Sequence, residues 1–142
     1  MSLMEIIAKN LINTTTQITV DSNTALTSFL FDRNTSTKFT SSGYNSTTAT
    51  VITITFANPT VVSNVLIQNH NLKKFSCYYN GTTTNAFTPA ISQTTNSDTS
   101  TYQLVTSITV SSISLKIEDT IAGSVEKSLG EFIVSERQLQ FE

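Results

Sequence analysis

The sequence predicts an all-β protein, an antiparallel β-sandwich (jelly roll) of about eight strands. Three observations support this prediction. Apolar and polar residues alternate along most of the chain, most clearly over Ser112–Glu118, where Ile113, Leu115 and Ile117 occupy one face. Turn signals such as Asn80-Gly81 separate the alternating segments. Helical periodicity is weak and short wherever it occurs.

The predicted elements follow one another with short connections. Met4–Leu11 and Ala25–Phe31 are long enough for only one or two helical turns each. Proline cannot donate a ladder hydrogen bond, so Asn58-Pro59-Thr60 predicts a break between two strands. The polar segment Thr94–Ser100 predicts a loop. In chain order, the predicted strands are Gln17–Val20, Ile52–Phe56, Val61–Gln68, Phe75–Tyr79, Asn85–Phe87, Tyr102–Val105, Ser112–Glu118 and Leu129–Val134.

Length and composition limit the function classes. The 142 residues suit one core-forming domain, predicted over residues 1–135, with 136–142 a charged tail leading towards a further domain. A net charge of −2 without a basic patch argues against nucleic-acid binding. No apolar run approaches the ~20 residues of a membrane span, so no membrane insertion is predicted. No signal peptide is visible, and the localisation is left open between a virion and an extracellular surface.

The titratable residues do not predict an enzyme. Cys77 and His70 are the single cysteine and histidine, too few for a zinc site, and one cysteine excludes an internal disulfide. The adjacent carboxylates Glu118 and Asp119 point to opposite sides of a strand. Phosphate-loop, dinucleotide and nucleophile-elbow motifs are all missing from the sequence.

The segment Phe31–Ser42 carries the most specific pattern. An Asp32-Arg33-Asn34 turn is followed by Thr37, Phe39 and Thr40-Ser41-Ser42, and then by the strand Val51–Phe56. This arrangement resembles the discoidin (coagulation factor 5/8 type C) and galactose-binding domain-like β-sandwiches. The resemblance extends from about Thr24 to Ser135. The chain departs from the family at Arg33, where glycine is usual, and at Phe39, where tryptophan is usual.

The resemblance implies a structural calcium ion. In such domains the Asp of this turn and the Glu of the closing strand help to hold the ion, and these positions are Asp32 and Glu131 here. Asn34 and Thr37 lie in the same turn and could add oxygen ligands, which calcium prefers. In the alternative interpretation, Asp32 accepts hydrogen bonds from its own turn and Glu131 is an exposed strand carboxylate.

The resemblance also implies ligand binding by loops at one end of the sandwich. Tyr44 is the candidate stacking platform, and Asn69 and His70 are candidate hydrogen-bonding partners. Alternatively, Tyr44 covers the end of the sandwich, and Asn69-His70-Asn71 forms a turn satisfied by its own side chains. The absence of tryptophan removes one common source of stacking affinity for carbohydrate.

Two functions are therefore expected. The first is a non-catalytic binding or adhesion module that recognises a glycan or host cell-surface molecule, as part of a larger protein. The second is a structural component of a phage tail or baseplate. A composition rich in Thr, Ser and Asn but poor in charge and cysteine resembles that of such tail proteins.

Overall fold

The computed structural model describes residues 10–34, 36–42 and 48–136 of the chain. Two 3₁₀ segments, Thr15–Gln17 and Thr24–Leu30, occur in these ranges, the second where a short helical segment was predicted. The strands within the described ranges are β1 (Ile18–Val20), β2 (Phe39–Thr40), β3 (Thr50–Gln68), β4 (Leu72–Tyr79), β5 (Asn85–Gln93), β6 (Thr101–Thr120), β7 (Ser128–Leu129) and β8 (Glu131–Ser135).

All strand pairings are antiparallel, which confirms the predicted fold class. The main sheet has the order β1-β3-β6-β4-β5, and β8 pairs with the second half of β3. In a separate two-stranded ladder, β2 pairs with β7. Across the described ranges, no helix is long and apolar enough to span a membrane.

The long β3–β6 ribbon folds back on itself. Ile67 of β3 pairs with Thr101 at one end of β6, whereas Leu72, five residues later, pairs with Thr120 at the other end. Twenty extended residues would span about 65 Å. The short connection holds the two ends of β6 within about 30 Å of each other. The ribbon must therefore bend, and its halves contribute to two layers of a sandwich.

The predicted strand break at Asn58-Pro59-Thr60 is wrong, because the strand continues through these residues. The segment lies inside one continuous β3 strand, at a register shift between Thr55 and Thr60. Pro59 is tolerated because it lies where the ladder has no paired position, so its missing N–H breaks no ladder bond. The predicted strands Tyr102–Val105 and Ser112–Glu118 are likewise parts of one strand, β6.

Alternation in both halves of the ribbon builds the core. Ile52 and Ile54 from the first half of β3 and Val65 and Ile67 from the second half are at most 1% exposed. Ile113, Leu115 and Ile117 of β6 are fully buried, as their alternation predicts. The buried aromatic side chains Phe39, Phe75 and Phe132 complete the centre of the core.

The β2–β7 ladder positions the regions of functional interest. Phe39 pairs with Leu129, and both side chains are 0% exposed. The N–H of Ser41 donates to the carbonyl of Lys127 at 2.9 Å and continues the pairing. One end of the ladder therefore meets the Asp32 turn and Glu131, while the other reaches Ser41 and Lys127.

Candidate functional site

The Asp32 turn is held by its own side chains. The N–H of Asn34 donates to Asp32 Oδ1 at 3.0 Å. The hydroxyl of Thr37 donates to Asp32 Oδ2 and to the carbonyl of Asn34, the latter at 2.8 Å. Arg33 has a φ of 59°, in the left-handed region that glycine adopts at lower cost. The turn thus keeps a glycine-type backbone at the position where the sequence departs from the family pattern.

Glu131 reaches this turn from the start of β8 and is only 3% exposed. Its Oε1 accepts the N–H of Asn34 at 3.1 Å, so this amide bonds to both carboxylates. The side chains of Asp32 and Glu131 also hydrogen-bond to each other. The structure therefore brings together Asp32, Asn34, Thr37 and Glu131, and shows that Glu131 is buried rather than an exposed strand carboxylate.

The contact between the two carboxyl groups moves their pKa values in opposite directions. Burial, the hydrogen bond with Asp32 and the charge of Asp32 together raise the pKa of Glu131 to about 7, against weaker stabilisation by backbone N–H groups. Burial alone would raise the pKa of Asp32, but the hydrogen bonds from Thr37, Glu131 and Asn34 outweigh it and lower that pKa. Of the two carboxyl groups, Glu131 is therefore the one that more readily holds a proton.

The donor set suits a hard cation. Within the described residues, no three His, Cys, Asp or Glu side chains converge as a metal-binding group. Asp32 and Glu131 supply two carboxylates, and the Thr37 hydroxyl and the Asn34 carbonyl are neutral oxygens in the same turn. Calcium accepts such a mixture of carboxylate, carbonyl and hydroxyl oxygens. A calcium site on these residues stays a prediction.

A pocket of about 200 Å³ lies at the other end of the β2–β7 ladder. It lies where β1 ends and β3 and β7 begin. Its lining is mostly polar and consists of Asp21, Ser22, Ser42, Thr48, Ala49, Thr50 and Lys127. Hydroxyls, a carboxylate and an ammonium group therefore face one small cavity.

Lys127 is a buried cation in the wall of this pocket, 2% exposed. Its Nζ donates to the carbonyl of Thr48 at 2.7 Å and to Thr50 Oγ1 at 3.3 Å. Burial lowers the pKa of Lys127, although the carboxylates of Asp21, Asp119 and Glu118 partly offset that effect. The ammonium group is directed at the protein and ties the start of β3 to β7.

Serine side chains order the opposite wall. Ser22 Oγ accepts the N–H of Ser42 at 2.6 Å and is hydrogen-bonded to the Ser42 hydroxyl at 2.9 Å. Both oxygens of Asp21 accept the N–H of Val51 at 3.2 Å. These bonds fix the positions of the carboxylate and the hydroxyls in the lining.

The structure gives His70 a packing environment. The ring is 2% exposed and contacts Phe75 edge-on, with ring centroids 5.6 Å apart. Its Nδ1 accepts the N–H of Leu72 at 3.0 Å, which leaves Nε2 to donate to Thr101 Oγ1 at 2.9 Å. Burial lowers the pKa of His70, with Asp98 opposing it, and the Nδ1 that accepts the N–H of Leu72 carries no proton.

Asn69 and Asn71 flank this ring in the same turn. Asn69 is exposed and has a φ of 51°. The Asn71 side chain donates to the carbonyl of Glu126 at 2.8 Å and accepts the N–H of Ser128 at 2.9 Å. The His70–Leu72 bond lies within the turn, whereas the Asn71 side chain ties the turn to the segment just before β7. Ligand contact by Asn69 or His70 stays a prediction.

Tyr44, the predicted stacking platform, lies outside the described residues. Its position in the sequence is two residues after Ser42 and four before Thr48, both of which line the pocket. The predicted loop and the pocket therefore belong to the same stretch of chain.

Sequence reasoning missed Asp21 and Lys127. Lys127 lies two residues before the buried Leu129, so extending the strand alternation backwards would have placed it on the inner face. Its charge hid that signal, because lysine is rarely buried unless it is paired. Asp21 directly follows a strand in the sequence, but nothing in the sequence indicated that it approaches residues 42–50.

No protein-family model and no curated protein matches this sequence. Solved structures do match it. Chitosan-binding module 2 from the chitosanase/glucanase of Paenibacillus sp. IK-5, in complex with chitotriose, is 17% identical with a TM-score of 0.66, over 84% of this chain and 95% of that one. CpGH89CBM32-6, produced by Clostridium perfringens, is 15% identical with a TM-score of 0.65, over 90% of this chain and 99% of that one.

A longer protein contains the same fold. A putative α-L-fucosidase from Bacteroides thetaiotaomicron is 16% identical with a TM-score of 0.75, over 96% of this chain but only 30% of that one. At these identities the similarity concerns the fold alone. The chain has the antiparallel β-sandwich fold of carbohydrate-binding modules.

Proposed function

We propose that this chain is a non-catalytic carbohydrate-binding module that recognises a glycan at the pocket beside the β2–β7 ladder. The observation that carries the proposal is the pocket lining itself. Asp21 accepts hydrogen bonds, and Ser22, Ser42 and Thr50 can both donate and accept them, which suits the hydroxyl groups of a sugar. The known glycan ligands of proteins with this fold support the same assignment.

The size and placement of the pocket support this role. A cavity of about 200 Å³ suits one sugar ring rather than a long chain. Sugar rings also present an apolar face, and an aromatic side chain beside the pocket would cover it. Tyr44 is our candidate for that platform, since it lies in the segment that joins two walls of the pocket.

The carboxylate geometry supports a non-catalytic role. Glycoside hydrolases use two carboxyl groups about 5–9.5 Å apart, with the sugar between them. Asp32 and Glu131 instead hydrogen-bond directly to each other, and they lie at the opposite end of the ladder from the pocket. The arrangement of Asp32 and Glu131 instead suits a proton or a cation held between the two carboxyl groups.

A glycan array followed by calorimetric titration tests the proposal. We expect millimolar or tighter binding to at least one glycan, and loss of that binding in Tyr44→Ala. Tyr78→Ala is the matched control, because Tyr78 lies on β4 away from the pocket. Absence of binding to every glycan would overturn the proposal, and phage tail or capsid genes beside the native gene would then favour the structural tail module.

We also propose that Asp32, Asn34, Thr37 and Glu131 bind a structural calcium ion. The convergence of two carboxylates on one backbone amide supports this, because a divalent cation can replace the proton that they share. Bound calcium would raise the melting temperature relative to chelator. Thermal unfolding with calcium and with chelator measures this difference, and identical melting temperatures together with no calorimetric heat would overturn it.

A further inference from the structure

We infer that Asn71 is a positioning residue for the pocket: it holds Lys127 and the start of β3 in place although it does not line the cavity itself. This inference rests on the proposed glycan-binding function and names a residue on which the shape of that site depends. It is carried by three hydrogen bonds that join Asn71 to Glu126 and Ser128, the residues on either side of Lys127.

The turn that contains Asn71 runs alongside β7. The N–H of Gly130 donates to the carbonyls of Gln68 and Asn69 at 2.9 and 3.1 Å. The N–H of Asn71 donates to the carbonyl of Ser128 at 3.2 Å, and Asn71 Oδ1 accepts the N–H of Ser128 at 2.9 Å. The side-chain amide thus supplies the second bond of a strand-like pair, and β7 has a hydrogen-bonded neighbour on the side away from β2.

Lys127 is held from the opposite side. Successive residues of a strand direct their backbone groups to opposite neighbours, so Ser128 bonds to Asn71 while Lys127 bonds to Ser41. The N–H of Ser41 donates to the carbonyl of Lys127 at 2.9 Å, and the N–H of Lys127 donates to Ser41 Oγ at 3.1 Å. Asn71 Nδ2 donates to the carbonyl of Glu126 at 2.8 Å. The backbone around Lys127 is therefore fixed from two sides.

The position of this backbone sets one wall of the pocket. The Lys127 ammonium group reaches the Thr48 carbonyl and Thr50 Oγ1, and both of these residues line the cavity. Such a long side chain keeps these two bonds only if it leaves the backbone from a fixed point, because each of its rotatable bonds adds freedom. Loss of the Asn71 bonds would therefore break the contacts of Lys127 or move residues 48–50, and the pocket would change shape in either case.

Reductive methylation of lysine, read by mass spectrometry, tests the positioning without a ligand. Formaldehyde with cyanoborohydride methylates amines that reach solvent. Lys127 is 2% exposed, whereas the side chain of Lys74 is 48% exposed and serves as the internal reference. We expect Lys127 to react about tenfold faster in Asn71→Ala than in the wild-type protein, because two hydrogen bonds that oppose local opening are lost. The rate at Lys74 should not change.

Asn96→Ala is the matched control. The Asn96 side chain donates to the carbonyls of Leu72 and Asp98, each at 2.7 Å, and accepts the N–H of Asp98 at 3.3 Å. These bonds join the start of β4 to its neighbouring loop rather than to residues 126–128. Asn96→Ala should therefore lose about as much stability as Asn71→Ala but keep the slow reaction of Lys127.

Asn71→Asp keeps the inference testable if Asn71→Ala does not fold. Its carboxylate can still accept the N–H of Ser128 but cannot donate to the carbonyl of Glu126. Because one side-chain bond is lost instead of two, we expect Lys127 to react about threefold faster than in the wild-type protein.

Calorimetric titration measures the consequence for binding. The probes are free glucose, galactose, mannose and N-acetylglucosamine, each a single ring of the size that the cavity admits. Among the probes that bind the wild-type protein, we expect about tenfold weaker binding to Asn71→Ala and unchanged binding to Asn96→Ala. Lys127→Met should weaken binding too, and adding it to Asn71→Ala should cause no further loss, because Asn71 acts through Lys127.

Each remaining outcome has a distinct meaning. Unchanged methylation of Lys127 in both Asn71 variants, or equal acceleration in Asn71→Ala and Asn96→Ala, would overturn the positioning inference and leave the glycan-binding function standing. Faster methylation with unchanged affinity for sugar, or additive losses in the double variant, would overturn the link from Asn71 to the pocket. Absence of binding to every glycan would overturn the proposed function itself, and the methylation rates would still decide whether Asn71 holds Lys127.

Discussion

Glu131 is a buried carboxyl group whose side-chain partner is another carboxyl group, Asp32. Two ionised carboxylates this close repel each other, which favours a proton on one of them. The Asn34 amide stabilises both oxygens but cannot neutralise both charges. We therefore expect the pair to couple folding to pH and, at the proposed calcium site, to calcium concentration.

In the presence of chelator, we expect stability to fall as the pH rises from about 5 to 8. The pKa of Glu131 is raised to about 7 from 4.5, so its contribution is complete below pH 4.5 and is lost as the pH rises through 7. Asp32 has the opposite shift, and its contribution is lost only when the pH falls through its lowered pKa. Urea unfolding at several pH values should show a loss of roughly 1–3 kcal/mol.

Saturating calcium and the variant Glu131→Gln provide the controls. Calcium should remove the pH dependence, because the bound ion keeps both carboxylates ionised. Glu131→Gln should also remove it, since the amide does not titrate in this range. Stability that stays constant from pH 5 to 8 in chelator would contradict the shared-proton description.

At the scale of elements, local patterns predicted strands better than they predicted strand length. The alternation of Ile52, Ile54 and Phe56 identified the first half of β3 correctly. Pro59 then predicted a strand end, because a sequence does not show whether a missing N–H falls at a paired position or at a register shift. Strand continuity here is set by the partner strand.

The candidate sites were likewise predictable only where their residues are close together in the sequence. The Asp32 turn was predictable because its residues are adjacent in sequence and form one turn. The pocket was not, since it joins Asp21, Ser42 and Lys127 from three separate segments. Which segments meet is decided by the β2–β7 pairing, and strands of two residues carry almost no sequence signal.

A substitution in the β2–β7 ladder should weaken both the proposed calcium site and the pocket. Phe39→Leu removes part of a fully buried ring from the ladder and should cost roughly 1–2 kcal/mol of stability. Because the ladder aligns Glu131 at one end and Lys127 at the other, we expect weaker binding of calcium and of glycan together. Chemical unfolding and two calorimetric titrations measure the three effects.

Phe87→Leu is the matched control. Phe87 lies on the edge strand β5, away from the β2–β7 ladder. Its side chain is 3% exposed and packs against Tyr79 of β4. The Phe87→Leu variant should lose about as much stability as Phe39→Leu. It should keep its affinities for calcium and for glycan when they are measured well below its melting temperature. Equal losses of affinity in the two variants would show that global stability, rather than the ladder, sets the binding.

At the scale of the whole molecule, the β3–β6 ribbon joins the two layers. β3 pairs with β1 and β6 over its first half, and with β6 and β8 over its second half. Its core residues Ile54 and Ile67 belong to one continuous cluster with Phe132 of β8. If one layer opened, the apolar side of the ribbon that packs against it would be exposed to water. The described residues should therefore unfold as one unit.

We therefore expect a single unfolding transition. The protein has four tyrosines and no tryptophan, and Tyr78 and Tyr79 on β4 and Tyr102 on β6 sample different parts of the sheet. Near-ultraviolet circular dichroism of tyrosine and far-ultraviolet dichroism of the backbone should give superimposable urea curves. Calcium should move both curves to higher urea by the same amount, because a ligand of the folded state stabilises the whole cooperative unit. Separate midpoints for the two signals, or a calcium shift in only one of them, would contradict a single cooperative domain. Such a result would mean that the register shift around Pro59 divides the ribbon into independently folding halves.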